Sequence, residues 1–442
     1  MKRYRSGSTS DSRVYRHELL KAIGKFLPKR GLALISKDRR VRWTDRLLVT
    51  MAMLMAWQPR AGMADCFEQC WQTIVGMYPT RRRVGHTYEG YSAALVKRGN
   101  KLLLRVATAL RQAVRESAGD YWTIAGFIVM SIDGSRINCS RTRDNEKAFG
   151  CAGKKGTAPQ QFITTLLHVG TGLIWDWRRG GGKEAERNHL RQMIDDLPPG
   201  CLLLADAGFT GYDLLKSLLA AGHSFIIRAG GNVRLLTKLG FALQERDNTV
   251  YLWPENRRHE KPLTLRLVSV NDGGKTVYLL TSVLDERQLS NDQVARMYRR
   301  RWGQEVFYRS LKRTMENHTL QSKAPAQAQA ELDWAMAGLW LLGLMTVEQM
   351  IRQKVDPQHW SVAQSLRSIR RVMNARGGRM KARGLCVLGQ ATKDKYHRHG
   401  SKTTRHWPRQ KEESPPKKPK VRTAKKSEKL AAKQLKEQTE AA

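Results

Sequence analysis

Two apolar runs in the middle of the chain end in the same way. Thr123-Ile-Ala-Gly-Phe-Ile-Val-Met-Ser-Ile leads into Asp133-Gly-Ser, and Cys201-Leu-Leu-Leu-Ala leads into Asp206-Ala-Gly-Phe. Short apolar runs of this kind, bounded by small residues, predict strands buried in the middle of a sheet. Apolar runs alternate with helix-like stretches from about Tyr121 to Met350, so the region reads as an α/β domain. An aspartate just past a buried strand commonly caps a turn or a helix. In open α/β sheets the same edge is where ligands bind, so two such carboxylates can also share a divalent cation.

Other elements follow from pattern. Phe162 to Val169, the turn Gly170-Thr-Gly and Leu173 to Trp177 predict a hairpin, and a helix is expected over Glu184 to Leu197 before Pro198-Pro-Gly. After a helix near Tyr212 to Ala221 and a strand over Ser224 to Arg228, residues 232–285 are rich in strand formers. Asn271-Asp-Gly-Gly supplies a hairpin turn between two of them.

A third carboxylate lies on a basic segment. Asn291 to Met315 reads as one helix, capped by Asn291 or Ser290, with Gly303 its one weak helix former. At about 100° per residue, Tyr298, Arg301, Glu305, Arg309 and Lys312 fall on a stripe about 80° wide. Arg301 and Glu305 are spaced as an i,i+4 ion pair on a solvated face. Alternatively, Glu305 joins Asp133 and Asp206 as a metal ligand and the cations beside it hold a phosphate backbone.

The charge balance favours a polyanion as partner. Lys and Arg number 79 against 39 Asp and Glu, a formal net charge of +40. The excess sits mainly in the two flanks. In residues 1–120, the stretches Arg16 to Phe26, Arg46 to Trp57, Cys66 to Val75 and Tyr91 to Glu116 place apolar residues at helical spacing, predicting a helical domain. Arg39-Arg-Val-Arg and Arg81-Arg-Arg fall in loops where they could reach phosphates. From about Arg376 the chain becomes rich in Lys, Arg, Pro, Ser and Gln, and residues 376–442 are expected to be a disordered basic tail.

Several classes drop out. No run reaches the ~18 consecutive apolar residues of a membrane span, and the basic N-terminus lacks the apolar core of a signal peptide. The six cysteines form no regular framework, which suits a reducing cytoplasm. Cys66 and Cys70 share a helix face but lack a second ligand pair at zinc-site spacing, so they read as buried thiols. No RRM- or KH-like motif argues for an RNA-binding protein.

Tyr298-x2-Arg301-x3-Glu305-x6-Lys312, following Asp133-Gly-Ser and Asp206-Ala-Gly-Phe, resembles the Y-R-E-K signature and the two aspartate motifs of bacterial DDE-type insertion-sequence transposases of the insertion sequence four family. The resemblance covers roughly Phe127 to Lys323, and serine replaces the commoner threonine at position 135. It implies a ribonuclease H-like catalytic core over residues 121–375, interrupted by a β-rich insertion that handles the DNA end. It implies that Asp133, Asp206 and Glu305 are catalytic and hold two Mg²⁺ ions, for which Mn²⁺ can substitute. Tyr298, Arg301 and Lys312 would then position DNA, with Trp302 a further base-stacking candidate as well as a candidate core residue. The expected activity is cut-and-paste movement of a DNA element. The expected partners are the terminal inverted repeats and the target duplex, met by a homodimer in the bacterial cytoplasm at the nucleoid, with no membrane involved. Two alternatives stay open: a ribonuclease H-like nuclease without strand transfer, and a decayed, non-enzymatic DNA-binding relative.

Overall fold

The computed structural model describes residues 9–28, 32, 41–77, 84–151, 157–272, 275–374, 384–393 and 417–440, with the side chains of 9–16, 77, 272, 439 and 440 left aside. The clusters Arg39-Arg and Arg81-Arg-Arg therefore lie outside the described residues.

The helices, in chain order, are α1 (Thr9–Phe26), α2 (Asp45–Trp57), α3 (Met63–Met77), α4 (Tyr88–Ser117), α5 (Arg143–Phe149) and α6 (Glu186–Arg191). They continue with α7 (Tyr212–Ala220), α8 (Asn291–Arg300), α9 (Gly303–Arg309), α10 (Pro325–Arg352), α11 (Val362–Met373) and α12 (Lys426–Glu440). The strands are β1 (Val129–Cys139), β2 (Gln160–His168), β3 (Leu173–Gly181), β4 (Leu202–Ala205), β5 (Ser224–Arg228) and β6 (Arg234–Thr237). The remaining strands are β7 (Thr249–Leu252), β8 (Leu263–Asp272), β9 (Lys275–Thr281), β10 (Thr319–Leu320) and β11 (Lys420–Thr423). Together they make the mixed α/β architecture that the alternating pattern predicts.

Contacts divide the chain into two compact units. The first holds Met1–Trp122, Gly134–Glu184 and Gly303–Lys393; the second holds Thr123–Asp133, Ala185–Trp302 and Asp394–Ala442.

In the first unit α10 is the central helix. Its Pro325 suits a first helical turn, where no amide donor is needed. It is long and apolar enough to cross a membrane by length and composition, but 83% of its most apolar window is buried inside the protein. A Cβ on Gly338 would stand 2.5 Å from that of Ala56, and Trp57 Nε1 donates to the Gly338 carbonyl at 2.8 Å. Close approach of α2 to α10 thus needs a residue without a side chain at that position. Buried Asp333 accepts from Trp177 Nε1 at 3.0 Å and from Arg179 Nε at 2.8 Å, tying the β2–β3 hairpin to α10. That hairpin pairs antiparallel with a register shift between Leu166 and Leu167. Cys66 and Cys70 are both buried in α3, as expected of thiols on an inward helix face, and burial raises the Cys70 thiol's pKa.

The second unit is built on a mixed sheet. The start of β1, β4 and β5 run parallel; β5, β9, β8, β7 and β6 then alternate antiparallel. The strand-rich stretch over 232–285 is therefore a run of paired strands, with Asp272 opposite Lys275 at the turn. Residues 273–274 of that turn lie outside the described residues.

The tail departs from expectation. β11 pairs parallel with β6, and α12 follows it, so Lys417 to Glu440 is ordered rather than a solvated extension. The reason is a small apolar face hidden among the lysines. Ala424 and Ala432 are buried against Leu236, Leu239, Tyr251 and Trp253, with Ala431 and Leu435 packed beside them. Residues 375–383 and 394–416 lie outside the described residues.

Two other expectations need revision. Strand β1 does not stop at Asp133 but runs to Cys139, because its start is delayed by a turn with positive φ at Ala125 and Gly126 and its far end finds a new partner in β10. The single helix over Asn291 to Met315 is interrupted. Arg301 N–H bonds the Tyr298 carbonyl and Trp302 N–H the Arg299 carbonyl, three residues back rather than four, just before Gly303 restarts the helix as α9. One π-turn, Ser310–Thr314, then follows α9. A tightened turn and a π-turn both change the rotation per residue, so the uniform angular spacing of the predicted stripe does not hold.

Candidate active site

Asp133 and Asp206 are matched by register. The parallel pairing of β1 with β4 runs Val129 to Leu202, Met130 to Leu203 and Ser131 to Leu204. Two residues beyond the last pair stand Asp133 and Asp206. Residues in register on adjacent parallel strands present side chains to the same face, about 4.8 Å apart along the hydrogen-bonding direction. Asp206 stands one residue past the end of β4, so the two motifs follow equivalent points of the β1–β4 ladder.

Helix α8 brings cations to this pair within the second unit. Ser290 caps it, its side chain accepting from the Gln293 amide while Gln293 reaches back to the Ser290 amide. One turn beyond its last buried residue, Met297, Arg301 Nη1 comes to 3.6 Å from Asp133 Oδ2. The Arg301 guanidinium lies 5.6 Å from the centroid of the Tyr298 ring. Burial lowers the Arg301 pKa, but neighbouring Tyr298, Asp206 and Asp133 outweigh it and the net shift is upward. Burial, with a smaller contribution from Asp206, pushes the Tyr298 phenol up to about 12, so it stays a neutral donor at neutral pH.

Arg228 is the residue the sequence reading passed over. It closes β5, the parallel neighbour of β4, and its Nη1 lies 3.6 Å from Asp206 Oδ1. A lone cation ending an otherwise apolar strand, Ser-Phe-Ile-Ile-Arg, is the signal that could have found it. An arginine nitrogen thus lies 3.6 Å from a carboxylate oxygen of each aspartate.

These oxygens suit a hard cation. Asp206 Oδ1 is buried and accepts no hydrogen bond among the described residues, an oxygen that a divalent ion could satisfy. The donors are carboxylates, with no thiolate or imidazole that would favour a softer metal. Among the described residues no three His, Cys, Asp or Glu side chains form a ready-made metal cluster.

Trp302 belongs to the same unit and is 54% exposed, which removes the core role considered for it. Glu305 and Lys312 belong to the first unit. Glu305 is half-buried on α9, whose neighbours anchor it: Gln304 Nε2 donates to the Thr165 carbonyl at 3.2 Å and the Tyr308 hydroxyl to the Ile163 carbonyl at 3.1 Å. Lys312 Nζ donates to Ser135 Oγ at 2.7 Å, so the serine two residues after Asp133 is the partner of the last signature residue. Partial burial lowers the Lys312 pKa. The structure thus gathers Asp133, Asp206, Tyr298 and Arg301 in one unit and places Glu305 and Lys312 in the other.

Residues 125–341 match a family described as the transposase DDE domain, a span that includes every one of these residues. The chain is 28% identical over 322 residues to the transposase InsG for insertion sequence element IS4 of Escherichia coli strain K12, covering 67% of this chain and 71% of that protein. A solved structure of the piggyBac transposase synaptic complex with hairpin DNA aligns over 90% of this chain and 86% of its own at 12% identity and a TM-score of 0.43.

Proposed function

We propose that the chain is a DDE-type transposase of the IS4 kind and that it moves an insertion sequence by a cut-and-paste route, nicking DNA at the element's ends and joining the freed 3′ ends to a target duplex. The observation that carries this is that Asp133 and Asp206, each two residues beyond the last β1–β4 pair, have nitrogens of Arg301 and Arg228 3.6 Å from their carboxylates.

In this reading Asp133, Asp206 and Glu305 hold two Mg²⁺ ions, with Mn²⁺ an acceptable substitute, in a ribonuclease H-like core. Bound there, the ions would activate the attacking water or 3′-OH and stabilise the leaving oxygen. The protein's own groups do the rest. Arg228 and Arg301 offset the charge of two neighbouring carboxylates and, with Lys312, supply cations for the phosphates of the cleaved strand. Tyr298, neutral at working pH, donates a hydrogen bond without adding charge. Trp302, exposed beside Arg301, offers a face on which an unpaired base can stack.

Residues 1–120 recognise the element's ends, residues 121–375 carry the chemistry with the insertion over 232–285, and two copies hold two ends together in the bacterial cytoplasm. The deciding experiment incubates the purified protein with DNA bearing its own terminal repeats and Mg²⁺ or Mn²⁺, then offers a pre-cleaved 3′-OH end and a second duplex. Cutting and joining are expected. Cutting without joining would point to a nuclease, and binding without cutting under either ion to a DNA-binding relative.

A further inference from the structure

Within the second unit, β6, β11 and the segment Trp253 to Arg258 border an open groove. Its cationic lining comprises Arg234, Arg258, Lys420 and Arg422 against the single acid Glu255. The parallel ladder sets Arg234 opposite Lys420 and Leu236 opposite Arg422. Arg234, Lys420 and Arg422 therefore share one face of the two-stranded edge. Lys420 and Arg422, two residues apart on a strand, are separated by about 6.6 Å, close to the spacing of successive phosphates along a nucleic-acid strand. Arg234 and Lys420 are exposed, and neither has an ion-pair partner among the described residues.

Half of this surface is supplied by the C-terminal segment, and its seat is built. Lys420 N–H bonds the Val233 carbonyl at 2.9 Å and Ala424 N–H the Thr237 carbonyl at 2.9 Å. A side chain on Gly231 would put its Cβ 2.7 Å from that of Lys417, so glycine there allows the strand to lie close. Glu428 of α12 takes Arg258 at 2.6 Å and Arg422 at 2.7 Å, aligning both guanidiniums. The Arg258 guanidinium in turn lies 4.3 Å over the Trp253 ring.

We propose that this groove binds the phosphate backbone of duplex DNA, and that docking of Lys417 to Glu440 onto the β6 edge completes it. The identity of the polyanion rests on the transposase reading; the groove itself does not depend on catalysis. The segment would then act as a docked wall of the DNA-binding surface and not as a free tether. Such a site reads no bases, because backbone contacts position DNA without specifying sequence.

The test uses the full-length protein and a short fluorescein-labelled duplex in EDTA, so that no cleavage intervenes, with affinity followed across a salt series. Arg234→Gln with Lys420→Gln should weaken binding about tenfold at low salt and make the plot of log affinity against log salt shallower by about 1.8, the value for two phosphate contacts. Both changes are on exposed side chains, so the fold should persist, as a thermal melt would verify. An unchanged slope and affinity would overturn the proposal. Ala432→Asp should expel α12, seen as accelerated amide exchange over Lys426 to Glu440, and should flatten the slope as well even though Arg234 remains. Expulsion without any change in slope would refute the role given to docking. A protein that loses slope in these variants yet never cuts DNA would keep the groove and lose the enzymatic reading. One that cuts DNA with its slope unaltered would do the reverse.

Discussion

Arg301 Nη1 stands 3.6 Å from Asp133 Oδ2, held above the Tyr298 ring. Under the proposed function, an arginine in that position would compete with a divalent ion for the carboxylate while also supplying charge for a phosphate. The two roles separate on mutation. Arg301→Ala should lower the Mg²⁺ concentration needed for half-maximal cutting while reducing the maximal rate by about 10²-fold, the usual loss when one preorganised cationic group is removed. A Mg²⁺ titration of end cleavage measures both. A variant that needed more Mg²⁺ would show that the arginine does not oppose the ion.

Asp133→Ala, Asp206→Ala and Glu305→Ala should each abolish strand cutting and leave duplex binding largely intact, read by gel cleavage and anisotropy on the same preparations. Loss of a carboxylate from a basic surface does not weaken attraction to DNA. Undiminished cutting by any one of the three would remove that residue from the site.

His168 predicts a pH dependence of stability. Its Nε2 donates to the Trp122 carbonyl at 3.0 Å and its Nδ1 accepts from the Thr171 hydroxyl at 2.9 Å, so the buried ring is neutral and one tautomer is held. Burial lowers its pKa from 6.5 to about 4, the Trp122 carbonyl opposing only partly. With the folded value depressed, the unfolded chain takes up the proton first as pH falls. The histidine's contribution is therefore complete above pH 6.5 and is lost progressively toward pH 4. Melting temperatures across this window should fall more steeply for the wild type than for His168→Gln, and parallel curves would exclude the assignment.

Asp333→Ala should destabilise the first unit. The change leaves Arg179 and the Trp177 indole without their shared acceptor, and breaking a buried pair from one side costs about 3 kcal/mol. Denaturant unfolding would register the loss as a lower midpoint at unchanged slope. A shift within error would mean that water replaces the carboxylate.

Glu428 ties the C-terminal segment down in a pH-dependent way. Hydrogen bonds from Arg422, helped by the Lys425 amide and by Arg258, depress its pKa to about 2 from 4.5. Its contribution is present above pH 4.5 and declines as pH falls toward 2, so amide protection over α12 should drop in that range before the core is lost. Simultaneous loss of both would argue against a separately docked segment.

Some of the site was legible because residue type and spacing are properties of the chain itself. The two apolar runs ending on aspartates, the basic segment carrying Tyr298, Arg301, Glu305 and Lys312, and the Leu173 hairpin all rest on local pattern. What local pattern missed depended on partners far away in the chain. Asp133 was expected at a strand end, but β1 continues because β10, nearly two hundred positions later, offers it hydrogen bonds. Arg228 drew no attention because its meaning comes from β4 beside β5. The tail read as disordered because its few apolar residues are sparse in sequence, yet they suffice once Tyr251 and Trp253 provide a surface to receive them.

The amino-acid sequence by itself determined that this protein is strongly basic, that its middle is an α/β region, and which carboxylates and cations sit in the two aspartate motifs and the basic segment. Tertiary structure alone decided that Asp133 and Asp206 follow equivalent points of one parallel ladder, that an arginine lies 3.6 Å from each, and that the lysine-rich segment Lys417 to Glu440 is docked. The division has a physical cause. Composition and periodicity are set by neighbours along the chain, whereas strand register and burial are settled by contacts between distant segments, whose energies exist only once the chain has closed on itself.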